Sequence, residues 1–171
     1  MKNVALITKG KNTCRALQEQ LENFLGNRAR VRGYYVDDSL DDNITADVVL
    51  ISGKHAYEYA LPRINPASPV VLAQRSINYD QLDRLFDLPE GTEALLVNDL
   101  PYTSHDTISL LTALGIDHIQ YYPYFPGIPD YPRLKVAITP GETDLVPDCA
   151  EQVIDIKTRV LDITTDRKSV V

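Results

Sequence analysis

The sequence predicts an α/β fold, an open three-layer sandwich on a mainly parallel sheet, and three observations carry that prediction. Short apolar runs recur at residues 4–7, 48–51, 70–73 and 94–97. The segments between them are long enough for helices and carry one-sided apolar stripes. After Tyr122 this rhythm gives way to a stretch rich in Tyr and Pro, so an irregular C-terminal extension containing additional strands is expected. Unbroken apolar runs of strand length are what a sheet covered on both faces requires.

Taken in order, the first strand at 4–7 leads to a helix over 14–25, with Leu17, Leu21, Phe24 and Leu25 as its apolar stripe. Asn12 or Thr13 is the expected cap, and Gly26 supplies the exit. The next strand, RVRGYYV at 30–36, has the mixed polarity of an edge or partly covered position. A strand at 48–51 precedes a short helix over 56–61, which Pro62 ends. After the strand at 70–73, a helix over 79–88 places Leu82, Leu85 and Phe86 on one side and stops at Pro89-Glu90-Gly91. The strand at 94–97 is followed by a helix opening at Thr103-Ser104-His105-Asp106, where Thr103 caps and Asp106 meets the positive helix end. Leu110, Leu111 and Leu114 form its core face, Gly115 its exit, and 118–122 a new strand. Further extended segments are expected at 134–139, 152–156 and 159–164, the last two pairing as a hairpin or extending the main sheet. These elements amount to a flavodoxin-like core over 1–122, an aromatic, Pro-rich arm with C-terminal strands packed on it over 123–165, and a tail or linker start at 166–171.

The totals exclude several classes. A chain of 171 residues suits one substantial domain. The formal charge is −7 and Lys and Arg are scattered, so direct nucleic-acid binding is not expected, because neutralising phosphates needs clustered positive charge. Two cysteines far apart, Cys14 and Cys149, make neither a disulfide scaffold nor a Cys-rich zinc site. The first strand follows Met1 too closely for a signal peptide, and no apolar run approaches the roughly 18 residues of a membrane span. The expected compartment is the cytoplasm, with no membrane partner.

Ligands of open parallel sheets meet the carboxyl ends of strands, where loops and helix amino termini converge. The candidate ligand-binding residues follow from that rule. The first loop holds Thr8, Lys9, Gly10, Lys11, Asn12 and Thr13, whose amides and lysines suit a carboxylate or phosphate. It lacks both the P-loop and the GxGxxG spacing, and its ordinary reading is a solvated connection. Ser52, Gly53, Lys54 and His55 repeat the theme after the third strand, against the plainer reading of a capped turn. Arg75 adds a fork-like donor, and Asn98 opens a third cluster with Asp99 and Thr103–His105. Asp37, Asp38, Asp41 and Asp42 read as a hydrated loop, and the three histidines fall in no compact metal motif, so neither a metal nor a cofactor is expected. A phosphoacceptor receiver is disfavoured as well, since VALITKG carries no carboxylate and VVLISGKH no aspartate at the strand ends.

The stretch HIQYYPYFPG poses a question of its own. In a strand Tyr121 and Tyr122 point to opposite faces, so one joins the core while the other lines a groove. Tyr124, Phe125 and Pro126 then form a rigid wall, either for packing or for contact with a ligand, and Tyr124 is the residue assigned to the ligand. Glu142, in the turn ITPGETDLVP, can accept from an amine only if the arm folds over the site.

VALITKGKNTC, ADVVLISGKHA, ALLVNDLPYTSHDTISLLTALGI, HIQYYPYFPG, VAITPGETDLVP and VIDIKTRVLDIT together resemble the amino-terminal sensory region of bacterial sigma-54-dependent transcriptional regulators, the group that includes propionate-catabolism activators. The resemblance spans most of the chain. It implies an α/β sensory domain for signal transduction and transcription regulation, relaying binding of a small metabolite to modules such as a PAS domain, an AAA+ ATPase and a helix-turn-helix domain; neither a Walker A lysine motif nor a DNA-binding helix pair is legible here. The implied partners are a small anionic metabolite such as a carboxylate, the output domains of a full-length regulator and a possible second copy in a homodimer. On this reading the chain is not an enzyme and has no catalytic residues. The alternatives are a non-catalytic dimerisation or interaction domain, or a small α/β transferase or hydrolase using His55 or His105 as base.

Overall fold

The computed structural model describes residues 1–162, and the chain is an α/β protein built on two four-stranded parallel sheets. It divides into two compact units. One comprises Met1–Ser76 and the stretch beginning at Val160, the other Ile77–Arg159. The division therefore falls after Ser76 and again after Arg159, whereas the sequence rhythm suggests breaks at 122/123 and 165/166. Of the expected C-terminal features, the tail at 166–171 and the end of the 159–164 segment lie outside the described residues.

The first unit runs β1 (Lys2–Thr8), α1 (Lys11–Leu25), β2 (Ala29–Tyr35), β3 (Val48–Ile51), α2 (Lys54–Ala60), β4 (Val70–Leu72) and the two-residue β5 (Arg75–Ser76). Its sheet has the order β2-β1-β3-β4, all parallel, with β2 on the edge. Because side chains alternate along a strand, β1 feeds two cores. Leu6 packs with Leu17 of α1 and Val31, while Ala5 and Ile7 pack with Val49, Ile51 and with Ala56 and Ala60 of α2. The helices thus cover opposite faces, giving three layers.

The second unit contains a 3₁₀ turn at Tyr79–Gln81, α3 (Asp83–Phe86), β6 (Glu93–Val97), α4 (Pro101–Ala113), β7 (Gln120–Tyr124), β8 (Val136–Thr139) and β9 (Gln152–Asp155). Its sheet, β7-β6-β8-β9, is again wholly parallel and repeats the winding of the first. Registers correspond as well: Ile7 faces Ile51 as Leu96 faces Ile138, and Thr8 faces Tyr35 as Val97 faces Tyr124. Each sheet has the flavodoxin-like order 2-1-3-4 of its own strands. On one face Leu111, Ile116 and Ile119 join Leu82 and Leu85 over the sheet. Among the described residues the other face carries no α-helix, only a 3₁₀ turn at Thr143–Leu145. Tyr131, Leu134, Leu145, Val146 and Ala150 of the irregular arm pack there against Leu95, Val97, Ala137, Tyr122 and Tyr124.

The chain returns to the first unit in β10 (Val160–Leu161), which pairs antiparallel with β5. The segment at 152–156 therefore extends the second sheet in parallel, and among the described residues it forms no hairpin with the segment from 159.

Several local expectations are corrected. α1 starts at Lys11 with Gly10 as its cap, so Asn12 and Thr13 lie inside the first turn and do not cap it. α4 starts at Pro101, two residues before Thr103, with Leu100 in the cap position, and Thr103 Oγ1 instead accepts the Leu100 N–H at 3.2 Å. Proline at the helix start needs no amide partner, which lets the helix begin early. The 79–88 helix is two short pieces, because the Asn78 side chain accepts from Asp80 N–H and sets a 3₁₀ turn. Phe86 is 60% exposed and stacks on His118 outside the core.

Candidate ligand site

The site begins with the winding of the first unit. β1 and β3 are neighbours whose following helices depart to opposite faces, which is the point where an open sheet leaves a crevice at its carboxyl edge. Thr8 is buried at the end of β1, and its hydroxyl donates to the Gly10 carbonyl at 2.9 Å. That bond bends the chain into the extended Gly10 that starts α1. Ser52 is buried just after β3, tied to β1 by its N–H donating to Ile7 O at 2.9 Å, and Gly53 then takes the cap position of α2. The strand ends carrying Thr8 and Ser52 are thereby neighbours, with Lys9, Gly10 and Lys11 following the first and Gly53 and Lys54 the second. Asn12 and Thr13 continue into the first turn of α1.

The local charge is less positive than the lysine count suggests. Lys9 Nζ lies 3.4 Å from Asp37 Oδ2, and the Asp37 N–H donates to Lys9 O at 3.0 Å. Asp37 Oδ2 also stands 3.4 Å from where a Gly10 Cβ would be, so this carboxylate sits against the loop. Lys11 and Lys54 are exposed. His55 lies on α2 with its ring 5.1 Å from that of Tyr59. Cys14, on the inner side of α1, has its thiol pushed up by burial, which a hydrogen bond with Thr8 only partly offsets, so it holds its proton near neutrality.

The remaining candidates lie elsewhere. Arg75 belongs to β5 and pairs in register with Leu161. Asn98 and Tyr124 are in the second unit, joined by a bond from Asn98 N–H to Tyr124 O at 3.0 Å. Asn98 is buried, its amide group reaching Thr107 Oγ1 at 3.4 Å and accepting from Asp99 N–H at 2.9 Å. Ser104 Oγ donates to the same Tyr124 carbonyl at 3.0 Å. These bonds lock the start of α4 to β7, a structural task. The Tyr124 ring meets Tyr131 edge-on at 4.7 Å and is part of the arm's packing.

Neither a family model, a curated protein nor a solved structure matches the chain. Among the described residues no group of three or more His, Cys, Asp or Glu side chains is placed to hold a metal ion, and no helix is long and apolar enough to cross a membrane.

Two features escape sequence reasoning. A cavity of about 170 Å³ lies on β2, lined by Arg32, Gly33, Tyr34, Tyr35, Asp38, Ser39 and Asp41. It is smaller than the roughly 300–1,000 Å³ of small-molecule sites, and two of its charged side chains, Arg32 and Asp41, pair with each other at 3.2 Å. The second is Gln20 of α1. Its Nε2 donates to Leu161 O at 3.1 Å and its Oε1 accepts the Leu161 N–H at 2.8 Å. Nothing in the helical pattern marks this glutamine, because its partner is 141 positions away.

Proposed function

We propose that the chain is a ligand-sensing regulatory domain of the sigma-54-dependent regulator type, binding a small anionic metabolite, with a carboxylate as the ligand class, and relaying that event to attached output domains. The supporting observation is the adjacency of the β1 and β3 carboxyl ends, after which come Lys9, Lys11 at the first position of α1 and Lys54 at the first position of α2. Backbone amides and lysines at adjacent strand ends favour an anion. On this reading the domain acts in the cytoplasm without catalysis, and its partners are the metabolite, the output domains and a second copy of itself. Tyr124 is left to the arm, which confines the proposed site to the first unit.

Native mass spectrometry of gently purified protein, followed by denaturation and identification of any released molecule, tests the reading. A stoichiometric carboxylate supports it. A clean apo mass, together with no response to added carboxylates, favours the second reading, a non-catalytic interaction domain, for which the internal packing of the aromatic arm speaks. Lys54→Ala is expected to weaken anion binding with little loss of folding, since the residue is exposed. Equal loss of binding and thermal stability sinks its role in recognition.

A further inference from the structure

We infer that α1 is a mechanical relay, and that the side-chain amide of Gln20 is the clamp by which it holds the returning strand β10. In an antiparallel pair, alternate residues bond across the ladder and those between turn their N–H and C=O away. Asp162 N–H donates to Gln74 O at 2.9 Å on the β5 side, so the backbone groups of Leu161 face outward from the pair. Gln20 satisfies both, donating at 3.1 Å and accepting at 2.8 Å, and so stands in for a further strand. The Leu161 side chain is buried in the same cluster as Leu17, one helical turn before Gln20.

β10 thus has its backbone and its side chain both fixed by α1. The other end of that helix is the Gly10–Lys11 corner, where Thr8 and Lys9 shape the candidate loop. From Lys11 to Gln20 is nine residues, about 13 Å of helix at 1.5 Å per residue, and a single helix of that length moves as one body. A shift of the corner is therefore delivered to the strand on which the chain re-enters the first unit and continues toward residue 171. This inference rests on the sensory reading for its purpose, but not for its test.

The test uses the full chain without ligand and reads amide hydrogen exchange at Leu161, with Leu6 of β1 as internal reference. Gln20→Leu keeps the bulk and removes both bonds, so Leu161 exchange is expected to rise roughly tenfold or more while Leu6 is unchanged. Unchanged exchange at Leu161 overturns the clamp. Lys9→Ala then perturbs the corner by removing its pair with Asp37, and Thr8→Val does so independently should either variant fold poorly. Each is expected to change Leu161 exchange with Gln20 present and to lose that effect in the Gln20→Leu background, a non-additivity that reports coupling. Equal effects in both backgrounds, or none in either, overturn the relay. Failure of the sensory reading would appear only in the ligand-capture experiment.

Discussion

Gly33 shows how closely α1 lies on β2. A Cβ there would stand 2.5 Å from both Cys14 Sγ and Gln18 Oε1. The glutamine end can swing away, whereas the buried cysteine cannot. Gly33→Ala is therefore expected to cost about 1–3 kcal/mol of stability by urea unfolding, and Cys14→Ala in the same chain to recover part of it. Tyr121 gives a pH prediction. Burial first, and Asp117 second, raise its hydroxyl pKa well above the ordinary value, and the hydroxyl donates to Ile116 O at 2.9 Å. The native state thus keeps a proton that the unfolded chain releases above about pH 10. The stabilisation is complete below that pH and is lost as pH rises further. Tyr121→Phe, followed by thermal unfolding between about pH 9 and pH 11, is expected to show a shallower alkaline loss than the parent. Such residues are only half legible in sequence: the tyrosine doublet announces two faces, but the depth of each needs the packed neighbours. Gln20 is not legible at all.

Helices and strands were the most readable scale. Apolar runs located β1, β3, β4 and β6 because a buried parallel strand has no polar face to hide it, and the stripe Leu17–Leu21 located α1. α3 was misread because Asn78 sets a local 3₁₀ turn that competes with the helical pattern, leaving Phe86 outside. The two-residue strands β5 and β10 are too short for any period to mark. The aromatic arm answers to its own element. Tyr124 meets Tyr131 on a sheet face covered by the irregular arm, so Tyr124→Ala is expected to lower stability by roughly 2 kcal/mol or more, short of the 3–5 typical of a fully buried aromatic. Differential scanning calorimetry checks this. A variant that keeps its Tm would return Tyr124 to the list of ligand contacts.

At the scale of the molecule, the division into two units was invisible in the sequence. Both sheets are built from the same succession of strand and crossover, so the runs read as one series. The candidate loops were legible as strand ends, but which strands neighbour each other was not, and adjacency of β1 and β3 is what joins TKGKNT to SGKH. The units differ in how they are assembled. The second is one continuous segment, Ile77–Arg159, whereas the first needs β10 from beyond it. A fragment comprising 77–159 is expected to unfold cooperatively in urea, while 1–76 alone, lacking Leu161 beside Leu6 and Leu17, is expected to be markedly less stable than the whole chain. Far-UV circular dichroism of the two fragments decides this, and an unfolded 77–159 would deny the second unit its independence.

Pro123 sits in the middle of β7, the edge strand of the second sheet, opposite Leu96. A row of tyrosines on an open edge is a template onto which a neighbouring molecule can add a strand, and proline interrupts that template by removing a donor. Pro123 is thus expected to limit the addition of a further strand at this edge. Pro123→Val should leave the fold intact yet scatter light sooner on heating, and equal scattering from both proteins would remove that protective role.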